Sequence, residues 1–128
     1  LRGVTFGNNT FVGVGYTGKI IRSTNDGSSW DNVTAVNSNN LWGVTFGNGT
    51  FVAVRSSGTV VKSTNNGSSW SSSSSGTSNH LYGITFGNNT FMAVGQSGRI
   101  VKSTDNGSSW NNSTSGTSNN LNGVAFGD

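Results

Sequence analysis

The hydrophobic residues of this chain recur in short runs that are separated by turn-forming residues. Stretches such as GNNT and STNDGSS supply the Asn and Gly that tight turns require, so strands are predicted at 1–6, 10–14, 19–23 and 29 to about 34. In the second and third runs the apolar residues are nearly consecutive rather than alternating, which indicates that both faces of the sheet are covered. The pattern predicts a small sheet of four antiparallel strands.

The whole pattern repeats every 40 residues, because Leu1, Leu41, Leu81 and Leu121 open the same phrase. This spacing divides the chain into units at 1–40, 41–80 and 81–120, and residues 121–128 duplicate the opening strand. A four-stranded unit that is covered on both faces packs between two sister units, which favours an all-β β-propeller with one blade per unit. Residues 121–128 are then the first strand of a further blade, and a β-solenoid is the alternative fold.

The composition narrows the classes of function. Charged residues make up 9% of the chain and the net charge is +3, with basic residues spread evenly, so nucleic-acid binding is not indicated. No apolar run reaches the roughly 18 to 20 residues that membrane insertion requires. The Ser, Thr, Asn and Gly content favours an extracellular or cell-surface location. Eight Asn-x-Ser/Thr sequons allow N-glycosylation, although such sequons also arise by chance in this composition; they begin at Asn8, Asn32, Asn48, Asn66, Asn88, Asn106, Asn111 and Asn112.

The predicted turn between the third and fourth strands carries the same motif in every unit. Its key positions are Ser23, Asn25, Gly27 and Trp30, then Ser63, Asn65, Gly67 and Trp70, then Ser103, Asp105, Gly107 and Trp110. The motif resembles the Asp-box, or bacterial neuraminidase repeat, with the pattern Ser/Thr-x-Asp-x-Gly-x-x-Trp. Asn25 and Asn65 depart from that pattern, but Asn also caps such turns through its side-chain oxygen.

The resemblance implies a propeller fold like that of sialidases, some glucanases, sortilin-type receptors and assembly factors of the Ycf48 type. In those families the box is structural. The resemblance therefore implies that these twelve residues close turns and that each Trp packs between blades, rather than that Asp26 or Asp105 binds a metal or acts as a catalytic acid.

The inventory of reactive side chains predicts a protein that is not an enzyme and uses no cofactor or metal. The chain has no Glu, so its acids are Asp26, Asp31, Asp105 and Asp128, and their positions in turns and at the chain end do not place two carboxylates across one cleft. His80 is the one histidine, and its place in a polar loop, where the other units carry Asn40 and Asn120, leads to its interpretation as a solvated loop residue rather than a catalytic base.

A ligand, if one binds, is expected on the face where the three units differ. In a four-stranded meander the second turn and the inter-blade loop share one side, and there the units carry different aromatic, basic and polar residues. Aromatic rings at the mouth of a propeller channel could stack on a sugar. The alternative is drift at exposed loops. The candidate ligand-binding residues are Arg2, Tyr16, Trp42, Arg55, Tyr82 and Gln96.

Self-association is predicted because propellers use about four to eight blades and three cannot close a ring. Two chains completing six blades, a longer repeat array and a filament are the alternatives. The leading functional hypothesis is a non-catalytic, self-assembling structural or adhesive element. The alternatives are a lectin-like propeller that binds glycans and a protein-assembly factor resembling the Ycf48 type.

Overall fold

The structure is a computed structural model that describes residues 1–34 and 37–127. The described residues form three separate four-stranded sheets, here called blades 1, 2 and 3, and each is an antiparallel meander with strands in sequence order. Blade 1 contains β1 (Gly3–Gly7), β2 (Thr10–Val14), β3 (Ile20–Ser23) and β4 (Asp31–Val33). Blade 2 contains β5 (Leu41–Gly47), β6 (Thr50–Arg55), β7 (Thr59–Ser63) and β8 (Ser71–Ser74). Blade 3 contains β9 (Leu81–Gly87), β10 (Thr90–Gly95), β11 (Ile100–Ser103) and β12 (Asn111–Ser113). The predicted all-β architecture of four-stranded blades is confirmed.

Tight turns join the strands because residues that tolerate positive φ stand at the required positions. Asn8 and Asn9, with φ of 50° and 58°, connect β1 to β2. The second connection is a single 3-10 turn in which Thr17 and Gly18 both have positive φ. β4 begins at Asp31 rather than at residue 29 as predicted, because Trp30 still belongs to the third turn.

The hydrophobic core lies between blades rather than within one. One cluster joins Val12, Val14 and Ile20 of blade 1 to a set from blade 2, namely Leu41, Val44, Phe51, Ala53 and Val61. A second cluster joins Val52, Val54 and Val60 of blade 2 to a set from blade 3, namely Leu81, Ile84, Phe91, Ala93 and Val101. Blade 2 therefore buries one face against blade 1 and the other against blade 3, while blades 1 and 3 each bury one face against blade 2.

Glycine lets neighbouring blades approach closely at the end of each first strand. A Cβ atom added to Gly47 would lie 2.1 Å from the ring of Phe86, and one added to Gly7 would lie 2.1 Å from the ring of Phe46. Real Cβ atoms do not come that close to a ring, so the absence of a side chain at Gly47 is what seats Phe86 against blade 2.

Residues 121–127 lie against blade 3 where a further blade would begin. The Leu121 amide donates to the Gly95 carbonyl at 2.9 Å, as the Leu41 amide donates to the Gly15 carbonyl at 2.9 Å. The segment forms no strand, although 121–128 is predicted to be the first strand of a further blade. A strand needs a hydrogen-bonded partner, and the described residues contain no second strand for this segment to pair with. The prediction for Asp128 falls outside the described residues.

Candidate ligand-binding surface

Three of the predicted ligand-binding residues come together as a row of aromatic rings, here called the aromatic ladder: Tyr16, Trp42 and Tyr82. The ring centroids of Tyr16 and Trp42 are 5.6 Å apart at an interplanar angle of 78°. Those of Trp42 and Tyr82 are 5.5 Å apart at 86°. Edge-to-face packing at these distances is favourable for aromatic pairs, so the ladder holds one ring from each blade in a fixed arrangement.

Arg2 supplies a positive charge at the end of the aromatic ladder. Its guanidinium carbon lies 5.7 Å from the ring centroid of Tyr16 and 5.3 Å from that of Trp42. Both distances are within the range of cation–π attraction. Arg2 is exposed, so its guanidinium can donate hydrogen bonds to a ligand while it rests on the rings.

The ladder is anchored on one side and open on the other. The indole nitrogen of Trp42 donates to the hydroxyl oxygen of Ser56 at 2.9 Å, which holds the central ring against the turn between β6 and β7. Tyr16 remains 51% exposed, so its ring is the most accessible part of the ladder.

Arg55 and Gln96, which the sequence also places among the ligand-binding candidates, have other surroundings. Arg55 is only 3% exposed, and its burial lowers the pKa of its guanidinium below the ordinary value. The Gln96 side-chain oxygen accepts a hydrogen bond from the His80 amide at 3.2 Å, which ties this residue to the inter-blade loop. The Arg55 side chain is therefore buried away from the surface, and the Gln96 side chain is engaged by the loop.

His80 does more than the solvated loop residue that was predicted. Its Nδ1 accepts a hydrogen bond from the Ser57 amide at 2.8 Å, and its ring centroid lies 6.3 Å from that of Tyr82. Asn40 and Asn120 make the equivalent contact, accepting from the amides of Thr17 and Ser97. The signal was present in the sequence, because all three side chains at this position can accept a hydrogen bond, and His80 does so while extending the ladder.

The turns between the third and fourth strands, here called the Trp turns, occupy residues 23–30, 63–70 and 103–110. In the first, the Ser23 hydroxyl donates to the Asn25 side-chain oxygen at 2.9 Å and accepts from the Gly27 amide at 2.9 Å. The Trp30 indole then donates to the Gly27 carbonyl at 3.1 Å. The other two Trp turns repeat these contacts, so the motif residues hydrogen-bond to one another within each turn.

The three Trp side chains are buried to different extents. Trp70 packs against the core cluster between blades 1 and 2, and Trp110 packs against the cluster between blades 2 and 3. Trp30, which was also predicted to pack between blades, is 41% exposed because no described blade covers that side of blade 1.

The third Trp turn differs from the others by a carboxylate. Hydrogen bonds from the hydroxyl and amide of Ser109, and from the hydroxyl of Ser103, lower the pKa of Asp105 to about 2. Each of these bonds favours the ionised form. The shift has a structural cause and is no sign of catalytic tuning.

The acidic residues do not converge on a site in the described part of the chain. Asp26 and Asp105 lie in the Trp turns of blades 1 and 3, and Asp31 begins β4. Among residues 1–34 and 37–127, no group of three or more His, Cys, Asp or Glu side chains is placed to hold a metal ion. No helix in those ranges is both long and apolar enough to cross a membrane.

Solved structures with a similar backbone are β-propellers. Ycf48 from Cyanidioschyzon merolae matches with a TM-score of 0.75 and 20% identity over 91% of this chain and 40% of that chain. Ycf48 bound to a D1 peptide matches with a TM-score of 0.74 and 19% identity over 87% of this chain and 40% of that chain. The Niastella koreensis GH74 enzyme matches with a TM-score of 0.61 and 22% identity over 87% of this chain and 17% of that chain.

These likenesses show the propeller fold alone, and the chain spans 40% of the length of the Ycf48 chains. The enzyme among them is matched over a much smaller share of its length. No family model matches the sequence, and no curated protein matches it.

Proposed function

We propose that this chain is a non-catalytic interaction module that binds a segment of a partner protein along the aromatic ladder. The observation that carries the proposal is the ladder itself, in which one ring from each blade and the Arg2 guanidinium form a continuous surface. Aromatic and Arg side chains are enriched among the residues that dominate binding at protein interfaces.

The chemistry of the surface suits a segment with an aromatic or aliphatic side chain next to a carboxylate. The exposed Tyr16 and the half-buried Tyr82 offer apolar contact and hydroxyl groups, and Arg2 can pair with a carboxylate in a bidentate manner. The net charge of +3 adds a general attraction for acidic segments. The similarity to a Ycf48 structure with a bound peptide supports this class of ligand.

A sugar is a weaker fit to the same surface. Stacking on a sugar requires an open ring face, whereas edge-to-face packing places the edge of one ladder ring against the face of the next. Arg2 covers further ring surface of Tyr16 and Trp42. Glycan binding remains a prediction from the sequence. An extracellular location and glycosylation are likewise predictions from the sequence.

We also propose that the Trp turns are Asp-box turns. In all three, the Ser hydroxyl, the Asn or Asp side chain, the Gly amide and the Trp indole bond to one another in the same arrangement. This common geometry supports Asn25 and Asn65 as replacements that keep the turn closed.

Selection from a displayed library of random peptides tests the proposed function. We expect the chain to enrich peptides that combine an aromatic or aliphatic residue with Asp or Glu. Tyr16→Ala and Arg2→Glu change exposed side chains and should each weaken the selected peptides about tenfold or more, measured by fluorescence titration.

Phe126→Ala is the matched control, since Phe126 is an aromatic residue of similar exposure, 52%, outside the ladder. A selection without enrichment, or peptides that bind Tyr16→Ala and wild type equally, would contradict the proposal. A glycan array probed with the same variants would favour the lectin-like alternative if it gave binding that Tyr16→Ala removes.

A further inference from the structure

Each blade interface joins two different faces. The front face of a blade carries the residues that meet the preceding blade, such as Leu41, Val44 and Phe51 of blade 2. The back face carries those that meet the following blade, such as Val12, Val14 and Ile20 of blade 1. The interface between blades 2 and 3 repeats this arrangement with equivalent residues.

The front face of blade 1 has the same apolar character, but residues 1–34 and 37–127 leave it uncovered. Leu1 is 75% exposed, Val4 65% and Phe6 51%. Leu1, Val4, Ile21 and Trp30, together with Arg2 at its edge, line a mostly apolar concavity of about 570 Å³ on this face. Large contiguous apolar surface of this kind is characteristic of interaction sites.

Polar contacts fix the position of each Trp turn on the blade before it. The Asn66 side chain donates to the Thr10 hydroxyl at 2.7 Å and accepts from the Asn8 side chain at 3.1 Å, while the Arg22 guanidinium donates to the Asn66 carbonyl at 3.1 Å. The next interface repeats the scheme. There the Asn106 side chain donates to the Thr50 hydroxyl at 2.6 Å, and the Lys62 ammonium donates to Ser108 at 3.2 Å.

On the front face of blade 1 and the back face of blade 3, the residues in these positions have opposite charges. Asp26 stands in the first Trp turn where Asn66 and Asn106 stand in the others, and it has a φ of 59° against 64° and 65° for those two. Lys102 stands on blade 3 where Arg22 and Lys62 stand on blades 1 and 2. Asp26 and Lys102 are both exposed, whereas their counterparts in the internal interfaces are half-buried.

We propose that a second copy of this chain binds across these faces, with the front face of blade 1 in one copy against the back face of blade 3 in the other. Asp26 of one copy then faces Lys102 and Thr90 of the other, as Asn66 faces Arg22 and Thr10 within one copy. Two such contacts close a ring of six blades, which lies inside the range of about four to eight that propellers use. The contact between copies repeats the arrangement of the internal interfaces. It differs from them by the charge pair of Asp26 and Lys102.

Residues 121–127 occupy part of the back face of blade 3 and are displaced in this contact. A Cβ atom added to Gly83 would meet the Cα of Gly123 at 3.1 Å, much as one added to Gly43 meets the Cα of Gly83 at 3.6 Å. The segment thus lies where β1 of the second copy would lie. Displacing this segment breaks fewer hydrogen bonds than displacing β1 would. The reason is that β1 is hydrogen-bonded to β2, whereas the segment has no strand partner among the described residues.

Sedimentation velocity of the 128-residue chain over a range of concentrations tests the contact. We expect a concentration-dependent dimer. Lys102→Glu places two acids opposite each other and should weaken dimerisation about tenfold. Asp26→Asn introduces the residue that the other Trp turns already hold, and should weaken dimerisation about twofold to fivefold. The double variant Asp26→Asn/Lys102→Glu should recover most of the affinity that Lys102→Glu loses, because only one of the two facing positions then carries an acid.

Ser72→Glu is the control, since Ser72 is an exposed residue of β8 in blade 2, which carries neither of the two faces, and it should leave dimerisation unchanged. Deletion of 121–128 should leave dimerisation intact or strengthen it. Circular dichroism verifies that each variant is folded. A monomer at every concentration, a dimer that Lys102→Glu does not weaken, a double variant without recovery, or loss of the dimer on deletion would each overturn the proposal.

Discussion

Blades 1 and 2 have nearly the same apolar sequence but very different burial. Leu1 is 75% exposed and its counterpart Leu41 is 2% exposed, while Val4 is 65% exposed and Val44 is 9% exposed. Both blades are meanders, and their first two strands pair in the same register from Gly3 to Gly7 and from Gly43 to Gly47, although β5 extends past a register shift to Leu41. The comparison shows that the sequence of one blade specifies its strands, whereas the burial of its apolar side chains depends on the neighbouring blades.

Stability is therefore expected to reside in the interfaces between blades. In repeat architectures the free energy of folding is approximately a sum of terms for each unit and terms for each pair of neighbours. Blade 2 has two described neighbours and blade 1 has one, so equivalent substitutions should have unequal effects. Matched pairs of variants measure this inequality directly.

The largest difference is expected between Phe51→Ala and Phe11→Ala. Phe51 is fully buried in the cluster between blades 1 and 2, so its removal should lower the free energy of unfolding by about 3–5 kcal/mol. Phe11 occupies the equivalent position but is half-buried, and its removal should cost about 1–2 kcal/mol. Urea denaturation at low protein concentration measures both values. Equal losses would mean that blade 1 is covered in solution under those conditions.

A smaller difference is expected between Gly47→Ala and Gly87→Ala. The added methyl group at Gly47 would overlap the Phe86 ring, which is held between blades, and should cost about 1–3 kcal/mol. At Gly87 the methyl group would meet the ring of Phe126 at the same distance of 2.1 Å, but Phe126 is 52% exposed and can move away. Thermal unfolding of the two variants checks this order, and a greater loss for Gly87→Ala would contradict it.

The smallest effect concerns the Trp turns and pH. Asp105 has a folded-state pKa of about 2, below its ordinary value, so its ionised form stabilises the folded chain. By linkage, this contribution is present above about pH 4 and is lost as pH falls through about 2. Asp105→Asn should therefore reduce the loss of stability over that range, as measured by urea denaturation at a series of pH values.

Asn65→Asp is the complementary variant for the same comparison. The hydroxyl and amide groups of Ser69 surround Asn65 as those of Ser109 surround Asp105. The new carboxylate should add the same pH dependence to the second Trp turn. An unchanged acid limb in both variants would show that these hydrogen bonds do not distinguish the charged from the neutral form.

The candidate site was predictable in part. Variation between the units identified Tyr16, Trp42 and Tyr82, because residues that a blade requires are the same in each copy and these are not. The same criterion selected Arg55, which is buried instead. Variation cannot distinguish a side chain that points to solvent from one that turns inward, since both lie outside the common pattern.

For His80, variation between the units concealed a structural role. Its difference from Asn40 and Asn120 indicated an unconstrained loop position, yet all three accept a hydrogen bond from the neighbouring turn. Chemical equivalence between unlike residues depends on which atom faces the donor. Residue identity shows that each of these side chains can accept a hydrogen bond, and the geometry of the loop shows that each one does.

The sequence by itself determined the 40-residue period, the four strands of each blade and the positions of their turns, because these follow from local φ preferences and from apolar runs that need cover on both faces. The tertiary structure decided which faces are covered, how one ring from each blade joins the ladder, and where Asp26 and Lys102 stand. Those features depend on contacts between residues far apart in the chain, and near-identical units cannot encode differences that arise only from having or lacking a neighbour.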